Sequence, residues 1–264
     1  MHKIKLFVTF VTFVAFKNDS NSIPIMIKLN ASNVAAFIGQ HRYCSQTEAF
    51  DKVIIDMGLV KKVQVQAQTQ AKIQRKVIAK AAQEFNKAVT STDDDSLEKN
   101  TQLFERRVKE ILSDSNMDSV LAEKLTESSV GMVYKDRGAK LEEDSTNKFE
   151  KTHMCRVSNR NSKCYTYYSK AFIITGKCDG LTDDAVIETK TRKTYWDQAP
   201  KYDLVQLQVY MKLTGRQKGY LNEQFANGTS RCTVIEDDNW QEIEAAIIAA
   251  LPIFWEYVEK LKSM

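Results

Sequence analysis

The segment from Ala171 to Lys190, AFIITGKCDGLTDDAVIETK, constrains the fold of this chain more than any other. Residues 171–175 form a short, mainly apolar run with one aromatic and three β-branched side chains, and residues 185–189 form a second run. Between them, residues 180–184 have the composition of a turn. The segment therefore predicts two β-strands joined as a hairpin.

Three charged side chains converge at one end of this predicted hairpin. Side chains two residues apart on a strand share a face, so Glu188 and Lys190 point the same way. Asp179, at the end of the first strand, can lie across from them. Two carboxylates and an ammonium suit a hard divalent cation with a lysine beside it. Asp-Gly is also a common turn dipeptide and Glu-x-Lys is often an exposed ion pair, so this segment alone leaves both interpretations open.

Helical patterns precede and follow the hairpin. Residues 137–150 have helical periodicity and carry Glu142 beside the apolar face. Residues 202–214 predict a second helix, in which Gln206 and Tyr210 share a stripe because they are four residues apart. Both helices therefore carry further polar groups, one before and one after the hairpin in the chain.

In chain order the motifs are Gly138-x3-Glu142, Asp179-Gly180, Glu188-Thr189-Lys190 and Gln206-x3-Tyr210. This pattern resembles the PD-(D/E)xK nuclease superfamily and, within it, the λ-exonuclease or YqaJ-type viral recombinases, with RecB-type nucleases more distant. The resemblance covers roughly residues 26–58 and 131–235. It implies an α/β fold with a restriction-endonuclease-like core, in which helices flank a mixed central β-sheet.

The resemblance also implies roles for individual residues. Asp179 and Glu188 would bind the metal, with the Thr189 carbonyl and Glu142 as further ligands. Lys190 would orient or deprotonate the attacking water, or else neutralise charge. The cofactor implied is Mg²⁺, for which Mn²⁺ would substitute. The catalytic candidates are Lys190, Glu188, Asp179, Glu142, Gln206 and Tyr210.

Candidate DNA contacts lie outside this group. Ser32 matches the serine of the Ala-Ser helix start that meets the DNA end in the YqaJ-type family, and Arg137, Arg192 and Lys193 are the other candidates. The upstream arginine that contacts phosphate in λ-type members has no counterpart here, because IPIMI occupies that region. Lys28 or Arg42 could replace it.

Residues 59–130 predict a helical insertion. From Leu59 to Val89 the chain carries seven Lys and Arg against one acid, Glu84, and the helical region that follows to Val130 is net acidic. One interpretation is that the opposite charges pair on a solvated surface. The other is that the basic helix binds DNA phosphates or a partner.

Other elements follow from local signals. Residues 152–168 predict a strand, a turn and a second strand, and an Asn227-Gly228 turn predicts a hairpin between 219–225 and 231–237. Residues 239–262 predict an amphipathic helix kinked at Pro252. Helix starts are predicted at Asn30 or Ser32, and at Ser45 or Thr47.

Composition limits the classes of protein. A chain of 264 residues with 43% hydrophobic and 27% charged residues is typical of one globular domain, here residues 26–264 with the insertion. Five cysteines without a CxxC pair predict free thiols in a reducing compartment. Only Cys232 follows Cys178, which excludes the iron–sulfur cluster of some RecB-type relatives.

Residues 1–25 form an N-terminal apolar extension. The run from residue 4 to 16 is short for a membrane span and has no small-residue cleavage site after it. It is interpreted as an appended strand or a start codon assigned too early, with a signal or anchor as the third option. We therefore expect an intracellular protein without stable membrane association.

The expected function is a metal-dependent DNA nuclease, specifically an exonuclease that resects duplex DNA ends for recombination or repair. A single-strand annealing protein is a potential partner, and an oligomer is compatible with the resemblance. Two alternatives stay open: a catalytically inactive DNA-binding or scaffold protein on the same fold, and a RecB-like endonuclease.

Overall fold

The structure, a computed structural model, describes residues 25–115, 117–192, 195–225, 228–236 and 239–264. Helices surround two β-sheets in this mixed α/β fold, which confirms the predicted fold class. The strands are β1 Ile27–Asn30, β2 Tyr165–Tyr168, β3 Phe172–Gly176, β4 Gly180–Leu181, β5 Ala185–Arg192, β6 Lys218–Phe225 and β7 Ser230–Ile235. The helices are α1 Val34–Phe37, α2 Gln46–Met57, α3 Lys61–Lys80, α4 Ala82–Val89, α5 Asp94–Ser113, α6 Ser119–His153, α7 Lys201–Thr214 and α8 Trp240–Ser263.

The β-strands form two mixed sheets. The first has the order β1-β3-β2, with β1 parallel and β2 antiparallel to β3. The second has the order β4-β5-β6-β7, in which β5 and β6 are parallel and the outer pairs are antiparallel. The predicted hairpin between 171–175 and 185–189 is therefore wrong, because β3 and β5 belong to different sheets.

A tight turn explains this pairing. Thr182 donates its N–H to the Ala185 carbonyl at 2.9 Å, and its hydroxyl accepts from the Ala185 N–H at 3.0 Å. This turn reverses the chain within four residues, so the antiparallel partner of β5 is the two-residue strand β4. The apolar strand β3 is left free to fill the space between β1 and β2.

Residues 152–157 do not form the predicted strand. Helix α6 continues to His153 and ends at Met154, which has left-handed backbone angles, and the Glu150 carboxylate accepts the Val157 N–H at 2.6 Å. The second predicted strand of this region is present as β2. The long helix is thus followed directly by the loop that precedes β2.

The main hydrophobic core lies between the first sheet and helices α1, α2, α7 and α8. Phe37, Phe50 and Phe254 meet there with ring centroids 5.0 to 5.7 Å apart. The predicted helices α7 and α8 are confirmed, as is the hairpin of β6 and β7. Pro252 lies inside α8.

The insertion has a hydrophobic cluster of its own. Side chains from α3, α4, α5 and the first half of α6 form it, and the Phe85 and Phe104 rings meet at 5.4 Å. Helix α6 then runs without a break toward the core, where Phe149 packs with Ile187 of β5. Over its 35 residues it spans about 50 Å and joins the two regions.

Predictions for residues 1–24 lie outside the described residues. Within the described ranges, the structure contains no helix with the length and apolar character needed to cross a bilayer.

Candidate active site

The candidate site is built on β5, which lies between β4 and β6 in the second sheet. A strand paired on both sides is covered from water, and Glu188 on β5 is only 2% exposed. Burying an acid at this depth is unfavourable unless partners compensate it, so the groups around Glu188 define the site.

Asp179 lies beside Glu188 because of the strand register. Gly180 pairs with Ile187, which places the preceding Asp179 opposite Glu188. The Thr189 N–H donates to Asp179 Oδ2 at 2.6 Å and fixes this carboxylate against β5. The predicted proximity of the two acids therefore holds, although Asp179 precedes β4 and does not end a strand of the predicted hairpin.

Lys190 and Gln206 complete the group around Glu188. Lys190 Nζ donates to Glu188 Oε1 at 2.6 Å and to Gln206 Oε1 at 3.3 Å. The Gln206 side-chain amide donates to the same Glu188 oxygen at 2.7 Å. Each of the three side chains contacts the other two. These hydrogen bonds join Gln206 of helix α7 to Glu188 and Lys190 of β5 and hold the three groups together.

Glu142 reaches the site from helix α6. Its carboxylate accepts a hydrogen bond from the Asn161 side-chain amide, and it lies close enough to Asp179 for that acid to raise its pKa. Asn161 has a φ of 48°, a left-handed conformation that asparagine tolerates better than most residues. Asn161 was not among the sequence candidates, since its role depends on the contact between a loop and a distant helix.

The three acids have raised pKa values. Burial, followed by the nearby Asp179, raises the pKa of Glu142 to about 7. Burial raises the pKa of Asp179, and it raises the pKa of Glu188 to about 8 despite the opposing effect of Lys190. Burial lowers the pKa of Lys190, but the carboxylates of Glu188 and Asp203 outweigh it and raise that pKa above its ordinary value. These acids are therefore harder to ionise than free carboxyl groups, and a further bound cation would favour their charged forms.

Tyr210 lies one turn after Gln206 on α7 and is 5% exposed. Burial raises the pKa of its phenol. Its ring lies so close to Gly176 that a Cβ added there would be 2.8 Å from Tyr210 and 2.6 Å from Ala31. Ser32 is exposed on the short 3₁₀ helix Ala31–Asn33, next to this contact.

The predicted DNA contacts at the three basic residues have different outcomes. Arg192 is not available to DNA, because it donates to Asp203 and to Glu223 at 2.6 Å each and is 10% exposed. Arg137 lies on α6, where its Nε donates to the Ser91 carbonyl at 3.4 Å. Lys193 lies outside the described residues. We therefore assign Arg192 a structural role.

A buried ionic network next to the site was missed by sequence reasoning. Glu223 on β6 is fully buried and accepts from Arg192 and from Arg231 at 2.6 and 2.7 Å. Asp203 on α7 pairs with Arg192 and lies 3.9 Å from Lys190 Nζ. These residues are up to 39 positions apart in the chain (231 − 192), so no local pattern indicates their pairing.

The acidic side chains fit a hard divalent cation. Among the described residues, no three His, Cys, Asp or Glu side chains are already arranged around one metal position. However, Glu188 Oε2 is buried without a hydrogen-bond partner, and the neighbouring atoms that could bind a metal ion are carboxylate oxygens. An unsatisfied buried acceptor beside a second carboxylate is what a bound cation would compensate. The Thr189 carbonyl as a further ligand stays a prediction.

No model of a known protein family matches the chain, and no curated protein matches it either. Among solved structures, it is similar to an alkaline exonuclease from Laribacter hongkongensis, with 19% identity, a TM-score of 0.41 and coverage of 68% of this chain and 90% of that one. It is also similar to a phage related exonuclease from Haemophilus somnus 129PT, with 15% identity, a TM-score of 0.43 and coverage of 90% and 96%. These values assign neither a family nor an activity, so the functional argument rests on the site itself.

Proposed function

We propose that this protein is a metal-dependent deoxyribonuclease that hydrolyses phosphodiester bonds. The observation that carries this proposal is the buried Glu188, which contacts Lys190 and Gln206 through one carboxylate oxygen and leaves the other unsatisfied beside Asp179. A site with two adjacent carboxylates, a lysine and a spare buried acceptor matches the needs of phosphoryl transfer, where charge on the phosphate must be compensated.

In this proposal, Asp179 and Glu188 would hold Mg²⁺ or Mn²⁺, with Glu142 near Asp179 as a further carboxylate. When bound, the metal supplies charge neutralisation at the phosphate and activates water for attack. The acids keep their positions because the Thr189 N–H holds Asp179 and the Gln206 amide holds Glu188.

Lys190 is the cation of the site. An ammonium has three donors, and two of them are engaged by Glu188 and Gln206 among the described residues. The third donor is left to contact an oxygen of the phosphate or of the attacking water. Lys190 therefore orients the nucleophile or stabilises developing negative charge, in agreement with two of the roles that the sequence suggests.

The finer proposal is an exonuclease that resects duplex DNA ends for recombination or repair. It is supported by the order and type of the motif residues and by the position of Ser32 next to Ala31, which packs with Tyr210 against Gly176. An endonuclease would cut closed circular duplex, whereas an exonuclease would degrade linear duplex only. Comparing the two substrates separates these modes.

The decisive experiment uses linear duplex DNA labelled at either end, incubated with Mg²⁺ or Mn²⁺ and with or without a chelator. We expect the wild-type protein to release labelled nucleotides only with metal, and Asp179→Ala to release none above background. Equal degradation by both proteins would refute the assignment, and so would no degradation by wild type under any metal. The second outcome would favour a binding or scaffold protein on the same fold.

A further inference from the structure

Helix α3 of the insertion carries six cations and no acid: Lys61, Lys62, Lys72, Arg75, Lys76 and Lys80. We call this set the basic stripe. At about 100° per residue, the six side chains fall within about 140° of the helix circumference. All six are exposed. The stripe extends about 30 Å along this 20-residue helix, with two cations at its start and four between residues 72 and 80.

The basic stripe is not neutralised within the described parts of the chain. No ion pair there joins any of the six cations to an acidic side chain. Two acids of the neighbouring helix α5 pair with cations of their own helix, Glu105 with Lys109 at 2.6 Å and Glu110 with Arg107 at 3.0 Å. The interpretation that opposite charges of the insertion pair with the basic helix is therefore wrong for α3.

The other side of α3 is already covered. Val77 is buried in the hydrophobic cluster of the insertion, and Ile73 and Ile78 pack against it. An amphipathic helix that binds a membrane needs a free apolar face to enter the bilayer, and α3 has used its apolar face inside the protein. Apart from Val65, which is 53% exposed, the face that carries the stripe therefore presents mainly charge and amide groups to solvent.

We propose that the basic stripe binds the phosphate backbone of duplex DNA outside the active site. A rigid row of cations about 30 Å long matches a rigid, regular array of phosphates, and such contacts are independent of base sequence. Single strands are bound by cations interleaved with aromatic side chains, and α3 contains no aromatic residue. The identity of the polymer rests on the proposed nuclease function, whereas the binding itself does not require catalysis.

The test is a binding measurement without turnover, made on the full chain with Asp179→Ala and a chelator present. The stripe variant replaces four of the cations: Lys72→Gln, Arg75→Gln, Lys76→Gln and Lys80→Gln. A matched control removes the same net charge from helix α5: Lys99→Gln, Arg106→Gln, Arg107→Gln and Lys109→Gln. Fluorescence anisotropy of a labelled 30-base-pair duplex gives the Kd over a range of salt concentrations.

We expect the stripe variant to bind at least about tenfold more weakly at moderate salt. The slope of log K against log salt should become shallower by about 3 to 4, since each lost phosphate contact removes about 0.9. The α5 control should retain most of the affinity and the slope. Circular dichroism of both variants establishes that each is folded.

An unchanged Kd and slope in a folded stripe variant would overturn the proposal, and so would equal losses in the stripe variant and the α5 control. A stripe-dependent loss of affinity for a single strand, with none for the duplex, would overturn it as well. If wild type binds duplex through the stripe but hydrolyses nothing, the proposed nuclease function fails while this inference stands.

Discussion

Charge is used in opposite ways in the catalytic region and in the insertion. Around β5 and β6, Glu188, Glu223 and Asp203 are almost fully buried, and each contacts at least one Lys or Arg side chain. On α3, six cations are exposed and form no ion pair within the described residues. Buried charges fix geometry because leaving one unpaired is costly, whereas exposed cations contribute little to stability and are available to a polyanion. Substitutions in the first region should therefore alter catalysis and folding, and those in the second should alter binding alone.

The largest effect is expected for Glu188→Gln. The amide keeps the size of the side chain but removes the charge next to Asp179 and Lys190, so hydrolysis of labelled linear duplex should fall by about 10²- to 10³-fold. Glu259→Gln on the surface of α8 removes the same charge and should retain full activity. Comparable activity in both variants would place the chemistry elsewhere.

Glu223→Gln tests the buried ionic network. Glu223 accepts from Arg192 and Arg231, and the loss of its charge leaves two guanidinium groups without a common anion. We expect the free energy of unfolding, measured with urea, to fall by about 3–5 kcal/mol. Glu259→Gln breaks an exposed pair with Lys262 and should cost less than about 1 kcal/mol. Equal costs would show that burial of the network has no energetic consequence.

Gly180→Ala tests how tightly the backbone beside Asp179 is packed. A Cβ at Gly180 would collide with the Val157 Cγ1 atom, and the Val157 side chain is buried. We expect a loss of about 1–3 kcal/mol in stability and a lower rate, since Asp179 must shift. Adding Val157→Ala makes room for the methyl group and should restore part of both. Additive losses in the double variant would contradict this explanation.

The smallest effect on stability is expected for the stripe variant of α3. Its four positions are exposed and unpaired in the described structure, and glutamine has a helix propensity close to that of lysine and arginine. Each substitution should change the free energy of unfolding by less than about 0.5 kcal/mol. A larger loss would mean that these cations stabilise the insertion, which would remove the contrast between the two regions.

Local patterns were sufficient for those parts of the fold and site that depend on neighbouring residues. The spacing of Gln206 and Tyr210 predicts helix α7, and the alternation along β5 predicts that Glu188 and Lys190 share a face. The sequence predicts a helix start at Ser45 or Thr47, and the structure has it at Ser45, whose side chain forms a reciprocal capping box with Glu48.

The features that sequence reasoning missed depend on distant partners. The assignment of β3 to the first sheet is decided by its pairing with β1, about 145 residues earlier (172 − 27). Asn161 and Asp203 have ordinary local contexts, and only the folded chain brings them to Glu142 and Lys190. Helix α6 continues past residue 150 to His153, where the sequence predicts a strand. It ends at Met154, which has left-handed backbone angles.

The most direct test of the central claim is the binding of Mn²⁺, followed by electron paramagnetic resonance, with a nuclease-resistant phosphorothioate duplex present and the signal of duplex alone subtracted. The account predicts that the wild-type protein sequesters Mn²⁺ and that Glu188→Gln binds it at least about tenfold more weakly. Glu259→Gln should bind it like the wild type. Identical Mn²⁺ binding by wild type and Glu188→Gln, or no binding by either, would contradict a metal site at these carboxylates.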